Sequence, residues 1–151
     1  MPTITRTTSD NPDFVALVQR LDAELAERNG DEHPFYAQFN KIAKIKHVVV
    51  AYEDGTPVAC GAIKEFAAGV MEVKRMYTSP EFRGKGIAGQ VLGELERWAA
   101  ELGYGKYILE TGLKQPEAIA LYTKSGYRVI PNYGQYANVE NSVCFEKIIQ
   151  L

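Results

Sequence analysis

A chain of 151 residues with 46% hydrophobic and 24% charged residues has the size and composition of one globular domain, long enough to bury about two thirds of its surface without a metal or disulfide staple. Seventeen basic residues against 19 acidic ones leave a net charge of -2, which argues against a nucleic-acid groove, because duplex binding needs a basic footprint. No run approaches the roughly 18 apolar residues of a membrane span, and the polar first ten residues lack the apolar core of a signal peptide. Cys60 and Cys144 lie far apart, with no CxxC or Cys/His cluster. They read as free thiols of a reducing compartment, so the cytoplasm is the expected location and no metal is expected.

Residues 3–7 suit a short strand. Asn11-Pro12 is a helix start, a side-chain cap followed by proline at the first helical position. Phe14, Leu17, Val18, Leu21 and Leu25 then recur at helical spacing until Asn29-Gly30. Pro34 opens a second, shorter helix through about Lys44. The period then changes: Val48–Tyr52, Val58–Phe66 and Val70–Thr78 read as three strands, separated by Glu53-Asp54-Gly55-Thr56 and Ala67-Ala68-Gly69. These connections are too short for parallel crossovers, so the strands form an antiparallel meander. After the loop Ser79–Phe82, helical spacing resumes at Arg83 and carries Ile87, Val91, Leu95, Trp98 and Leu102 to Gly103. A strand at Tyr107–Leu109, a helix from Pro116 to Ser125, and strands at Tyr127–Ile130 and Ser142–Ile148 complete the order β-α-α-β-β-β-α-β-α-β-β. The expected fold is α+β: one domain over residues 1–151, with a mixed, mostly antiparallel sheet flanked by helices.

The densest local signal is Arg83-Gly84-Lys85-Gly86-Ile87-Ala88-Gly89. Gly84 and Gly86 permit positive φ and a close approach of another molecule to the backbone. The four unpaired N–H groups of a helix start form an anion site, and Arg83 and Lys85 add positive charge, so phosphate binding is the physical expectation. The glycines also spell GxGxxG, with Glu110 21 residues beyond Gly89, in imitation of a dinucleotide fingerprint. Against that reading, five residues separate strand from glycine and the strand carries Glu72, Lys74 and Arg75. Antiparallel strands also precede it, and too little chain follows for a second nucleotide-binding half.

Together with the strand and Pro-containing loop before it, Arg83-Gly84-Lys85-Gly86-Ile87-Ala88 resembles the Arg/Gln-x-x-Gly-x-Gly/Ala signature of the Gcn5-related N-acetyltransferases (GNAT). Gln115-Pro116-Glu117-Ala118-Ile119-Ala120-Leu121-Tyr122-Thr123-Lys124-Ser125-Gly126-Tyr127 resembles that family's helix ending in Leu-Tyr-x-Lys-x-Gly-Tyr/Phe. The element order is also the family's, so the resemblance covers essentially the whole chain.

The resemblance implies a GNAT-like acyl-CoA N-acyltransferase fold, with acetyl-CoA (coenzyme A) as cosubstrate and a primary amine as acceptor. The amine attacks directly in a ternary complex. A non-catalytic acyl-CoA-binding module of the same fold is the alternative. It further implies that the backbone amides of Arg83, Gly84, Lys85, Gly86, Ile87 and Ala88 cradle the pyrophosphate. Met76, Tyr77 and Thr78 then run beside the pantetheine arm as an added strand would, and one of their amides stabilises the oxyanion. Gln115 stands where many members carry Asn to hold the arm or a nearby water; glutamine reaches the same partner by one more methylene. Tyr122 is the implied acid for the leaving thiolate, a phenol being protonated at neutral pH. Its plain alternative is a packing tyrosine, since Ala118, Leu121 and Ser125 share its helical side. For the base, the choice stays open between Glu72, whose place holds a base in some members, Glu110 and water. The acceptor side is expected from the N-terminal helices and the last strand pair, which offer Glu32, His33, Tyr36 and Tyr133, with Asp31, Asn40 and Tyr136 nearby. The loop Asn132-Tyr133-Gly134-Gln135-Tyr136 is expected to present exposed rings, either to the acceptor or to a second copy in a homodimer.

Overall fold

The computed structural model describes residues 2–30 and 44–149. The helix expected from Pro34, and with it Glu32, His33, Tyr36, Asp31 and Asn40, lies outside the described residues. Seven strands form one sheet: β1 (Thr3–Thr7), β2 (His47–Glu53), β3 (Thr56–Ala67), β4 (Val70–Thr78), β5 (Lys106–Gly112), β6 (Arg128–Ile130) and β7 (Ser142–Ile148). Their spatial order is β1-β2-β3-β4-β5-β7-β6. Every pairing is antiparallel except β4 with β5. The described helices are α1 (Pro12–Asn29), α2 (Ile87–Glu101) and α3 (Pro116–Lys124).

Strand alternation sorts the core into two layers. Val48, Val50, Cys60 and Ala62 face α1, where Phe14, Leu17, Val18, Leu21 and Leu25 pack on them. Val49, Ala51, Ala59 and Ile63 face the other way, onto Ile87, Val91, Leu92, Leu95 and Ala99 of α2. Gly61 lies on that second face because nothing larger fits: a Cβ there would stand 2.4 Å from the Met76 sulfur and 2.9 Å from a Leu95 methyl. Leu95 is fully buried, and truncating it to alanine would cost about 2–5 kcal/mol.

Local chemistry fixes the helix ends. The Asn11 side chain accepts from the Asp13 and Phe14 amides at 2.8 and 3.3 Å, and Pro12 takes the first turn. Gly30, at φ 54°, closes α1 by donating its N–H to the Ala26 carbonyl.

α2 starts at Ile87, four residues later than the helical spacing from Arg83 suggests. Gly84 and Gly86 take φ of 77° and 80°, which no right-handed helix admits, so Arg83–Gly86 becomes a loop. The preceding residues Pro80–Phe82 form a short 3-10 turn.

Strand β4 carries a bulge. Its register against β3 moves from Cys60 opposite Tyr77 to Ala62 opposite Lys74. Arg75 sits in the extra position at φ 61°, uncommon for a residue with a side chain. Its guanidinium is buried and held by Asp22 of α1 at 2.8 Å.

Candidate active site

Parallel pairing of β4 with β5 covers only Val70–Glu72 against Lys106–Ile108. Beyond Glu72 the strands part: β4 continues to Thr78 and β5 to Gly112. Among the described residues, the β4 edge that faces β5 therefore leaves its backbone groups without a partner strand. A cavity of about 530 Å³ fills the opening. Met76, Tyr77 and Thr78 of β4 line it, as do Glu110 of β5, Gln115 and Tyr122 at α3, and Arg83, Gly84, Gly86, Ile87 and Ala88 at the glycine loop.

At the loop end the surface is backbone. Gly86 caps α2 with no side-chain hydrogen bond, so the amides of the first turn lack a side-chain cap. A Cβ placed on Gly84, Gly86 or Gly89 would meet nothing within 4 Å. These are open, left-handed or helical glycines beside uncapped amides, the donor set and clearance that a diphosphate requires.

The two cations are deployed differently from the sequence reading. Arg83 turns inward: its Nε donates to the Thr78 carbonyl and a terminal nitrogen to Glu24, both at 2.8 Å, and it lies over the Tyr77 ring. Lys85 is exposed, with its ammonium 5.1 Å from the centre of the Phe82 ring, and does not line the cavity. Glu24 and Arg28 of α1 and Glu117 of α3, which sequence reasoning missed, continue the charge chain from Arg83. Arg28 makes a bidentate pair with Glu117 at 2.8 and 3.0 Å, joining α1 to α3 across the cleft. Beside Arg28, the Glu117 carboxyl is held down to about 2.

The deep end is built of side chains. Glu72 is buried and accepts the Tyr133 phenol at 2.6 Å; its other oxygen lies 3.6 Å from the Lys74 ammonium. Glu110 accepts from the Ser142 hydroxyl at 2.7 Å. Burial pushes the Glu110 carboxyl up to about 7; neighbouring Glu72 pushes the same way, while Ser142 and Lys74 oppose. Tyr122 is buried, with its ring edge-on to Tyr127 and tilted against Phe145. Burial, and then the charge of Glu110, raise its phenol above the ordinary range.

The tyrosine loop corrects an expectation. Tyr136 is buried at 4% exposure and Tyr133 is half-buried, so neither presents an exposed ring. A 3-10 turn at Gly134–Tyr136 folds the rings inward. Tyr133 meets Tyr136 and Phe66 edge-to-face at 5.9 and 5.1 Å. Tyr136 lines the cavity, whereas Tyr133 stands behind Glu72. Lys74 and Ser142 were missed as site residues. Lys74 had a signal: it lies two residues from Glu72, on the same period-2 face of the strand.

The protein-family model for the GNAT acetyltransferase family matches residues 14–127. This chain belongs to the GNAT acetyltransferase family. A GNAT member is an acyl-CoA-dependent N-acyltransferase, and the relatives agree with that class. The chain is 34% identical to an IAA acetyltransferase of Azospirillum brasilense, over 96% of each chain. It is 31% identical to the N-acetyltransferase YjgM of Escherichia coli, over 82% of this chain and 80% of that one. Among solved structures it superposes on a Klebsiella pneumoniae protein described as an acyl-CoA N-acyltransferase. The TM-score is 0.83 at 32% identity, over 99% of both chains. The same fold, at 17% identity and a TM-score of 0.69, occurs in an Elizabethkingia anophelis GNAT acetyltransferase with acetyl-CoA bound, over 97% of both chains. The parted β4 and β5 therefore belong to a GNAT sheet, and the glycine loop is not the first turn of a Rossmann unit.

Proposed function

We propose that this GNAT member transfers an acetyl group from acetyl-CoA to a primary amine, directly, with both substrates held together in the one cavity. The supporting observation is continuity: a single cavity joins the uncapped α2 amides to a carboxyl and a phenol at its deep end. The Gly84–Ala88 backbone would hold the diphosphate, and the unpaired edge of Met76–Thr78 would hold the pantetheine amides. Bound acetyl-CoA supplies an activated acetyl carbon and a thiolate leaving group.

Glu110 takes the proton that the attacking ammonium must lose, because a carboxyl raised to about 7 is both ionised and basic enough near neutrality. We assign Glu110 this task rather than Glu72, whose oxygens already face Tyr133 and Lys74. Tyr122 stays protonated and donates to the departing sulfur. Neither cysteine offers an acyl-enzyme route: burial pushes Cys60 up to about 12 and Cys144 up to about 11, far from a thiolate at neutral pH.

Thiol release from acetyl-CoA, measured across a panel of amines, tests the reading. Release that depends on an amine supports it. Coenzyme A binding with no amine-dependent release across the panel would leave only an acyl-CoA-binding module.

A further inference from the structure

The proposed transfer gives Lys74 no task, yet Lys74 lines the cavity on β4, with its side chain only 20% exposed. Its ammonium is 3.6 Å from Glu72, too long for a hydrogen bond, and its three donors make none to the described residues. Glu72 does not depend on it, since the Tyr133 phenol already reaches that carboxylate at 2.6 Å. Lys74 and Glu110 line the same cavity, and the Lys74 charge favours the ionised Glu110 carboxyl. The deep end thus holds a cation in the same cavity as the carboxyl that would receive the amine.

A simple ammonium drawn to Glu110 meets a like charge in Lys74, in a site where water screens weakly. A second, negative group on the acceptor turns that repulsion into an attraction and gives the ammonium, which is ion-paired with Glu72 at 3.6 Å but makes no hydrogen bond among the described residues, a hydrogen-bonding partner.

We infer that the acceptor is an amine that also carries a carboxylate, of the amino-acid type, and that Lys74 binds the carboxylate while Glu110 faces the amine. The inference rests on the transfer reading above and narrows its acceptor. A polyamine or an internal lysine of a protein lacks the carboxylate and is selected against.

The test uses the full chain with α-, β- and γ-amino acids, each beside its carboxamide, compared at equal neutral-amine concentration. Two readouts run in parallel: kcat/KM with acetyl-CoA, and calorimetric binding of the same compounds to protein saturated with coenzyme A. The native chain should favour an acid over its amide by about tenfold or more, as expected for a partly desolvated charge pair. Lys74→Met should bring that ratio close to one, and Lys74→Arg should preserve it. Because each ratio is taken within one variant, loss of folded protein cancels. A preference that survives in Lys74→Met, or an absence of preference in both readouts, overturns the inference. Lys74-dependent binding of acids without acetyl transfer would keep the carboxylate site and discard the transfer reading. Transfer without preference would do the reverse.

Discussion

At the glycine loop the cavity wall is main chain, open to water and contiguous in sequence. At the opposite end it is a set of side chains from β4, β5, α3, β7 and the tyrosine loop, withdrawn from water and brought together by the sheet. The first end can bind an anion with modest demands on any one side chain, since its donors are amides fixed by two positive-φ glycines. The second end depends on individual groups in a weakly screening environment. Substitutions should therefore act through turnover at the deep end and through cosubstrate affinity at the loop.

The largest effect is expected from Glu110→Gln, a fall in kcat of roughly 100-fold to 10,000-fold, typical for loss of a positioned base. In the native chain, kcat/KM should rise with pH through about 7 as this carboxyl ionises, and the variant should lose that limb. Stability should move the opposite way. The folded state holds the Glu110 proton above its ordinary range, so the native chain loses stability as pH rises from the ordinary value of 4.5 through about 7. Glutamine mimics the protonated acid. The variant should therefore gain melting temperature over the native chain at pH 8 and gain less at pH 5. A variant that loses turnover without this pH-dependent gain in stability would place Glu110 outside the base role.

Next in size is Tyr122→Phe, expected to lower kcat by about 100-fold while changing the KM for acetyl-CoA little. Steady-state kinetics with the best amine checks it. Unchanged turnover would reduce Tyr122 to the packing partner of Tyr127 and Phe145 that its ring contacts already make it.

The sequence disclosed these regions unequally, for physical reasons. The sequence patterns placed α1, α3 and six of the seven described strands close to their observed bounds, while β5, read as Tyr107–Leu109, runs from Lys106 to Gly112. In α1, β2 and β3 the pattern is set by a face that must be buried. The glycine loop was equally legible, since φ constraints are local. The start of α2 was misread because the apolar stripe ignores the two glycines that delay the helix to Ile87. Side-chain partnerships were not legible. Arg83 turning to Glu24, Tyr133 reaching Glu72 and Ser142 reaching Glu110 are joined across 59, 61 and 32 positions. Such distances are decided by strand order, which no local pattern encodes. The splay of β4 from β5, on which the cavity depends, was hidden for the same reason.

At the loop, Gly86→Ala should separate strain from ligand contact. Alanine at φ 80° costs about 1–2 kcal/mol, although its methyl would meet nothing in the protein within 4 Å. The methyl would stand on the open surface assigned to the diphosphate. Affinity for coenzyme A should fall about tenfold, beyond what the melting temperature loss accounts for, while Glu110-dependent pH behaviour persists. Equal losses in stability and affinity would leave strain as the whole explanation.

The smallest effect should come from Lys85→Ala. The ammonium is exposed, has the Phe82 ring beside it among the described residues, and lies off the cavity wall. It can attract a diphosphate through solvent but does not hold it in fixed geometry, so the loss should be about 2-fold to 5-fold in coenzyme A affinity. Screening decides the point: raising salt to about 1 M shortens the Debye length to about 3 Å and should bring native and variant affinities together. Arg83→Ala should behave differently, because its guanidinium ties the Thr78 carbonyl to Glu24. Its loss should persist in high salt and should lower the melting temperature as well. If the Lys85 effect survived high salt instead, the ammonium would be making a direct contact with the phosphate, and the loop would owe its affinity to a side chain as the deep end does.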